Sequence, residues 1–257
     1  MNMPMSKQDI DTDLARITAV LKAPRIKESY HRLAAYAQAN NWTFERYLLA
    51  VLEEEANARE ASGAQLRIKR AGFPAVKTIA EFNFSHQPGL DRALIARLET
   101  SGWITSHENV VLLGPPGTGK THLAISLGII AARQGYRVLF DTAAGWINRL
   151  GTAHRVGELS KLVAKLSRYD LLIIDEIGYL PIEADAANLF FQLIAERYER
   201  GSVIITSNLA FSRWAECFGD STIAAAIIDR IVHHAHIISS EGESYRLNKH
   251  VARTEVE

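Results

Sequence analysis

Cysteine is nearly absent from this chain. The only one, Cys217, excludes an internal disulfide and a cysteine-built metal cluster, which fits a reducing compartment. Long hydrophobic runs are missing too: nothing approaches the roughly 18 apolar residues of a membrane span, so no membrane association is expected. The first 22 residues contain Asp9, Asp11 and Asp13 and no continuous apolar core, which argues against a secretory signal and for a cytoplasmic protein. An excess of either charge is also lacking. The 29 Lys and Arg balance the 29 Asp and Glu, so net charge gives no reason to expect a polyanionic partner. What remains is 257 residues, 47% apolar and 23% charged, an ordinary globular composition with room for one full domain and a small second one.

The most informative stretch is Val110 to Leu123, VVLLGPPGTGKTHL. An apolar run stops at Gly114 and is followed by Pro115, Pro116, Gly117, Thr118, Gly119, Lys120 and Thr121, which satisfy G-x-x-x-x-G-K-[ST] at every fixed position. Glycines let the backbone curl so that successive N–H groups face phosphate oxygens, and a following helix adds its positive end. Lys120 can reach the β- and γ-phosphates, and the Thr121 hydroxyl can ligate Mg²⁺. A plain Gly/Pro turn requires neither the lysine nor the threonine. The stretch, with His122 closing it, therefore predicts nucleoside triphosphate binding.

The segments around the loop alternate. Residues 8–70 read as helices only: Ile10, Leu14, Ile17 and Leu21 form a one-faced stripe, a second helix follows Pro24, and a third begins near Thr43. After a short helix at 90–99, strands are expected at 110–113, 137–140, 171–174, 203–206 and near 236–238, with helices between them. Strands alternating with helices predict a parallel sheet covered on both faces, with ligands at the carboxyl ends of its strands. The expected division is a helical DNA- or partner-binding domain at 1–70, a linker at 71–81 marked by Gly72 and Pro74, and a nucleotide-binding domain at 82–257. Phe82 and Phe84 stand either as an adenine-stacking pair or as core.

The strand ends carry the candidate chemistry. Leu171–Ile174 runs straight into Asp175 and Glu176, which places Asp175 beside the metal held by Thr121 and Glu176 where it can polarise a water against the γ-phosphate. The next strand ends in Ser207-Asn208, and an amide there can hold that water. Arg230, among apolar neighbours on a late helix, is either a surface ion-pair partner or an arginine finger reaching a neighbouring subunit's nucleotide. Arg246 is a second, weaker candidate for an arginine acting on nucleotide. His233, His234 and His236, without a nearby cysteine or second cluster, read as a helix end with favourable dipole contacts.

Two segments are lopsided in charge. Gln65–Lys77 carries Arg67, Lys69, Arg70 and Lys77 and no acid. Residues 145–169 carry Arg149, Arg155, Lys161, Lys165 and Arg168 against Glu158 alone. Each is either a solvated face or, if subunits ring together, part of a path for a nucleic-acid backbone.

GPPGTGKTHLAISLG, LLIIDEIGYLP, VIITSN and AIIDRIVHHAHIISSEGESYRL closely resemble the IstB-type insertion-sequence ATP-binding proteins, AAA+ ATPases similar to the DnaC helicase loaders and more distantly to DnaA. The resemblance runs from about Phe82 to Leu247. It implies an AAA+ P-loop fold, ATP and Mg²⁺ at Lys120 and Thr121, magnesium and water at Asp175 and Glu176, Asn208 as sensor and Arg230 as finger. It also implies oligomerisation on duplex DNA, remodelling of that DNA, and assistance to the transposase of the same mobile element. About 20 residues follow the last strand, so no full helical lid is expected. Three alternatives stand beside this reading. A helicase loader shares every motif. A small-molecule kinase has no use for Glu176 and Asn208, and a non-hydrolysing nucleotide switch would lack Asp175 or Glu176.

Overall fold

The computed structural model describes residues 6–179 and 181–240. The chain divides into two compact units, Met1–Gln65 and Leu66–Glu257. The first is helical throughout its described residues. Helix α1 (Lys7–Val20) opens on a capping box between Ser6 and Asp9, and α2 (Pro24–Ala39) opens on a proline in its first turn, where the missing N–H costs nothing. Helix α3 (Phe44–Ala71) runs across the division between the units. Much of the expected stripe on α1 is open: Ile10 and Ile17 are each 42% exposed and Leu21 60%.

The division at Gln65 lies ahead of the stretch read as a linker from its glycine and proline. Residues following Ala71 pack on the second unit instead: Ala71 is fully buried, and the Phe73 ring stands 6.0 Å from that of Phe140. An apolar ring beside Gly72 outweighed the break that Gly72 and Pro74 signal.

In the second unit α4 (Arg92–Glu99) and the single-turn α5 (Gly102–Thr105) precede the sheet. Then follow β1 (Asn109–Leu113), α6 (Lys120–Arg133), β2 (Val138–Thr142), α7 (Ala143–Arg155), α8 (Leu159–Leu166), β3 (Leu171–Ile177), α9 (Ala184–Arg197), β4 (Ser202–Ser207), α10 (Trp214–Phe218), α11 (Ser221–Val232) and β5 (Ala235–Ser239). All pairings are parallel, in the order β2-β3-β4-β1-β5. Alternate strand residues feed two apolar layers. Val110, Leu112, Leu171, Ile173 and Ile204 join the layer under α6, while Val111, Leu172, Ile174, Val203 and Ile205 join the layer under α7, α9 and α11. This is the expected doubly covered sheet. Residues beyond Ser240, including Arg246 and the region where a lid was thought missing, lie outside the described residues.

The amino edge of the sheet is stitched by two buried polar side chains. Asn109 donates through Nδ2 to the Ile231 carbonyl and accepts from the Val203 N–H, at 2.9 and 3.0 Å. Arg197, 3% exposed, donates to the carbonyls of Leu166, Tyr169, Asp170 and Ser202 at 2.8–3.3 Å. Burial pushes its pKa down to about 10, opposed by the nearby Asp170 charge, so it stays a cation at neutral pH. Removing it takes a donor from four carbonyls between the end of α8 and the starts of β3 and β4, of which those of Leu166 and Asp170 keep a backbone N–H. We expect Arg197→Ala to cost about 2–4 kcal/mol and to lower the thermal midpoint by roughly 5–12 °C, read by calorimetry; an unchanged midpoint would show that the stitch is dispensable.

Candidate nucleotide site

The site grows from the carboxyl ends of β1, β3 and β4, which lie side by side in the sheet. Between β1 and α6 the chain turns through Gly114 and Gly119, at φ 145° and 90°. Both positions also need the missing side chain. A Cβ at Gly114 would meet the Ser240 carbonyl, and one at Gly119 would lie 2.5 Å from Cε2 of Phe82. The Lys120 ammonium is drawn into the loop, donating to the carbonyls of Gly114 and Pro115 at 2.6 and 2.7 Å, and Thr118 donates to the Pro115 carbonyl at 2.9 Å. The loop is thus pre-curled, with the N-terminus of α6 behind it.

Opposite the loop, Asp175 is 3% exposed and receives two hydroxyls: Thr121 Oγ1 at 2.9 Å and Thr206 Oγ1 at 2.6 Å. The β3–β4 register slips between Ile174 and Ile177, and within that slip Glu176 takes φ 67°, a left-handed conformation costly for a residue with a side chain. Its N–H is held by Thr206 Oγ1 at 2.8 Å. The irregularity leaves Asp175 buried and turns Glu176 outward, exposed at the cavity. Asn208 reaches the same cavity from the end of β4; its Oδ1 is buried and, among the described residues, accepts no hydrogen bond.

The cavity measures about 310 Å³ and is walled by Gly117 to His122, Glu176, Thr206 and Asn208 on one side. The segment from Lys77 to Gln87 forms the other wall. Phe82 is 9% exposed, lies against Gly119, and meets His122 edge-on at 5.4 Å between ring centres. His122 Nε2 sits 2.8 Å from the Thr78 carbonyl, which ties that wall to α6. Phe82 is therefore core and cavity wall at once, while Phe84 packs behind it at 4.9 Å.

The structure brings together Gly117–His122, Glu176 and Asn208, with Asp175 just behind them. Arg230 stands apart from this cavity: its guanidinium donates back to the Ala226 carbonyl at 3.0 Å and lies 4.7 Å over the Phe191 ring. The basic residues do not share one setting. Arg149 pairs with Asp141 at 2.7 Å, Lys161 with Glu158 at 3.1 Å, and Arg155 bonds Thr152 while lining a neighbouring groove. Lys165 and Arg168 are exposed. Arg67 differs from the expectation of a backbone-binding base, because it donates to the carbonyls of Ala132 and Arg133 at the end of α6. Lys69 and Arg70 remain exposed. Thr206, Thr78 and, apart from Lys77 and the Phe82 and Phe84 pair, the rest of the 77–87 wall escaped the sequence reading. Of the missed residues, Thr206 left a signal, a hydroxyl closing an apolar strand.

The residues fit a bound nucleotide with its metal: a curled N–H-lined loop, a buried carboxylate beside a helix-start hydroxyl, and an orphaned buried acceptor at the cavity. Alanine at Gly119 would be strained at φ 90° and would push Phe82 from the loop. Gly119→Ala should weaken binding of a fluorescent ATP analogue at least about tenfold, a loss of roughly 1.4 kcal/mol, in a protein that keeps its helical circular dichroism. Equal affinity would mean that the loop geometry is not what holds the nucleotide.

Comparison with known proteins agrees with this geometry. The family model described as IstB-like ATP binding protein matches residues 17–253. A protein of insertion sequence IS21 from Pseudomonas aeruginosa, named for ATP binding, is 44% identical over 86% of this chain and 84% of its own length. Among solved structures, the DnaC helicase loader superposes with a TM-score of 0.50 over 58% of this chain and 87% of its own, at 19% identity. AMPPCP-bound DnaA from Aquifex aeolicus gives 0.55 over 72% of this chain and 56% of its own, also at 19% identity. At that identity the last two establish the AAA+ fold alone. Since the family match reaches into both units and the nucleotide loop lies within it, the chain belongs to the IstB-like ATP-binding proteins.

Proposed function

We propose that this chain is an ATP hydrolase that assembles on duplex DNA and assists the transposase of its own mobile element. The observation that carries the hydrolytic part is the bulged end of β3. One backbone irregularity sinks Asp175 between two hydroxyls and sends Glu176 out into the cavity walled by the phosphate loop and Asn208. A nucleotide switch that only binds has no need of an outward carboxylate held at φ 67°.

Mg²⁺, when bound with ATP, supplies the positive charge that offsets the phosphates. Thr121 and Asp175 are the residues suited to hold it. The Thr121 hydroxyl, now donating to Asp175, would turn its lone pairs to the ion, and Asp175 keeps its second donor, Thr206. Glu176 accepts the proton of a water, and the unpaired Oδ1 of Asn208 orients that water. Lys120 and the loop N–H groups neutralise charge on the β- and γ-phosphates. The Lys77–Gln87 wall with Phe82 packs against the base and sugar.

One feature supports assembly between copies. Arg230 lies outside its own chain's cavity, over Phe191 and bonded to the Ala226 carbonyl, so any role as a finger would be toward a nucleotide held by another copy. Relatives named for insertion sequences support the transposition setting over helicase loading, for which only the fold speaks. A pull-down against the element's transposase and against a replicative helicase separates the two readings. The DNA contacts are taken to be phosphate contacts by exposed bases such as Arg155, Lys165 and Arg168, which would favour easily deformed sequence over particular bases.

Glu176→Gln should keep ATP and DNA binding while turnover falls at least about 100-fold, measured as phosphate release with and without duplex DNA. Turnover at the parental rate would remove Glu176 from the chemistry. Affinity for duplex DNA in the presence of ATP should fall steeply, by roughly two orders of magnitude or more, between about 50 and 200 mM salt. A flat response in a fluorescence-anisotropy titration would contradict a backbone-tracking grip.

A further inference from the structure

At the amino edge of the sheet, remote in the fold from the strand ends that carry the nucleotide loop, the chain assembles a second set of ligating side chains. Glu199 stands in the turn after α9, and His233 and His234 follow α11. One carboxylate oxygen and one ring nitrogen from each histidine all lie within 4.8 Å of one another, and all three residues are exposed. We propose that Glu199, His233 and His234 form a surface site for a divalent transition-metal ion of the zinc class, distinct from the ion that accompanies ATP.

The donor set argues for this class. Two imidazoles and a carboxylate suit zinc, nickel or copper, whereas magnesium prefers an all-oxygen shell. Tetrahedral zinc with bonds of about 2.0–2.1 Å needs ligand atoms about 3.4 Å apart. His234 Nε2 and Glu199 Oε1 are already at 3.7 Å, and both side chains, 51% and 58% exposed, can close the remainder by rotamer adjustment. The backbone beneath is firm. The His234 carbonyl accepts from the Asn109 N–H at 2.7 Å, and Glu199 is fixed at φ 57° in the turn into β4. The Tyr198 hydroxyl lies 2.8 Å from His233 Nδ1 and restrains that ring, as outer-shell partners of metal-bound histidines do.

The three sequence-adjacent histidines divide here. His236 is taken by Glu108 at 2.7 Å, while Glu199, distant in sequence, joins the other two. Three protein ligands leave a coordination position for water or for a group from another molecule. An ion there would join the turn after α9 to the end of α11, the helix that carries Arg230.

The test uses the full chain, free of any polyhistidine tag and of nucleotide, titrated with Zn²⁺ by calorimetry and with Co²⁺ by visible absorption. One saturable ion per chain is expected. The double variant H233Q/H234Q should lose it, and E199Q should bind at least tenfold more weakly. A thermal shift on adding Zn²⁺ should occur in the parent and vanish in the double variant. Unimpaired binding of an ATP analogue certifies that each variant is folded. No saturable ion in the parent, or equal affinity in the double variant, would overturn the proposal, the latter by assigning binding to other histidines.

Discussion

A carboxylate buried almost completely at the end of a central strand must be given hydrogen-bond donors, or its oxygens are left unsatisfied out of reach of water. Asp175 receives them from Thr121 at the start of α6 and from Thr206 on β4. Those two hydroxyls fix the phosphate loop against β3 and β4, because shifting either element leaves a buried carboxylate oxygen short of a donor. Thr206 does a second thing: the oxygen that donates to Asp175 accepts the Glu176 N–H. One hydroxyl therefore holds both the buried acid and the irregularity that expels its neighbour, and the separate roles of two adjacent carboxylates rest on it.

The two edges of the sheet are built differently. The amino edge is closed by Asn109 and Arg197, whose hydrogen bonds lock strand starts to helix ends. The carboxyl edge holds the loop glycines at positive φ, Glu176 at φ 67° and, among the described residues, an Asn208 Oδ1 that accepts no hydrogen bond, though the amino edge too has Glu199 at φ 57° and an unpaired Arg197 Nε. Strain and unsatisfied polarity at the carboxyl edge cost stability that the two apolar layers offset. The arrangement suits a binding edge that must exchange its partners while the strands beneath it keep their positions.

Much of this was legible along the chain. The alternation of apolar runs with 3.6-residue patterns located the five strands and the helices between them to within a few residues, because burial on both faces of a parallel sheet demands continuous apolar strands. The phosphate loop was readable because backbone geometry and charge there are set by residues adjacent in sequence. Other features were not. Phe82 and Phe84 could be core or cavity, and only the packing of Phe82 on Gly119 shows that it is both. The Gly72–Pro74 stretch signalled a linker, yet Phe73 beside it found an apolar partner in Phe140. Arg67 belonged to a basic run by composition, but the open carbonyls at the end of α6 captured it.

The residue order alone determined that a triphosphate loop opens a helix after a buried strand, and that two acids and an asparagine end the neighbouring strands. Local spacing suffices for those features, since each depends on a few consecutive residues. Only the tertiary structure decided which acid is buried and which is presented, that Thr206 governs the choice, that Lys77–Gln87 walls the cavity, and that Glu199 meets His233 and His234. These depend on registers and on contacts between distant segments, whose free energies come from packing the whole sheet rather than from any stretch of it.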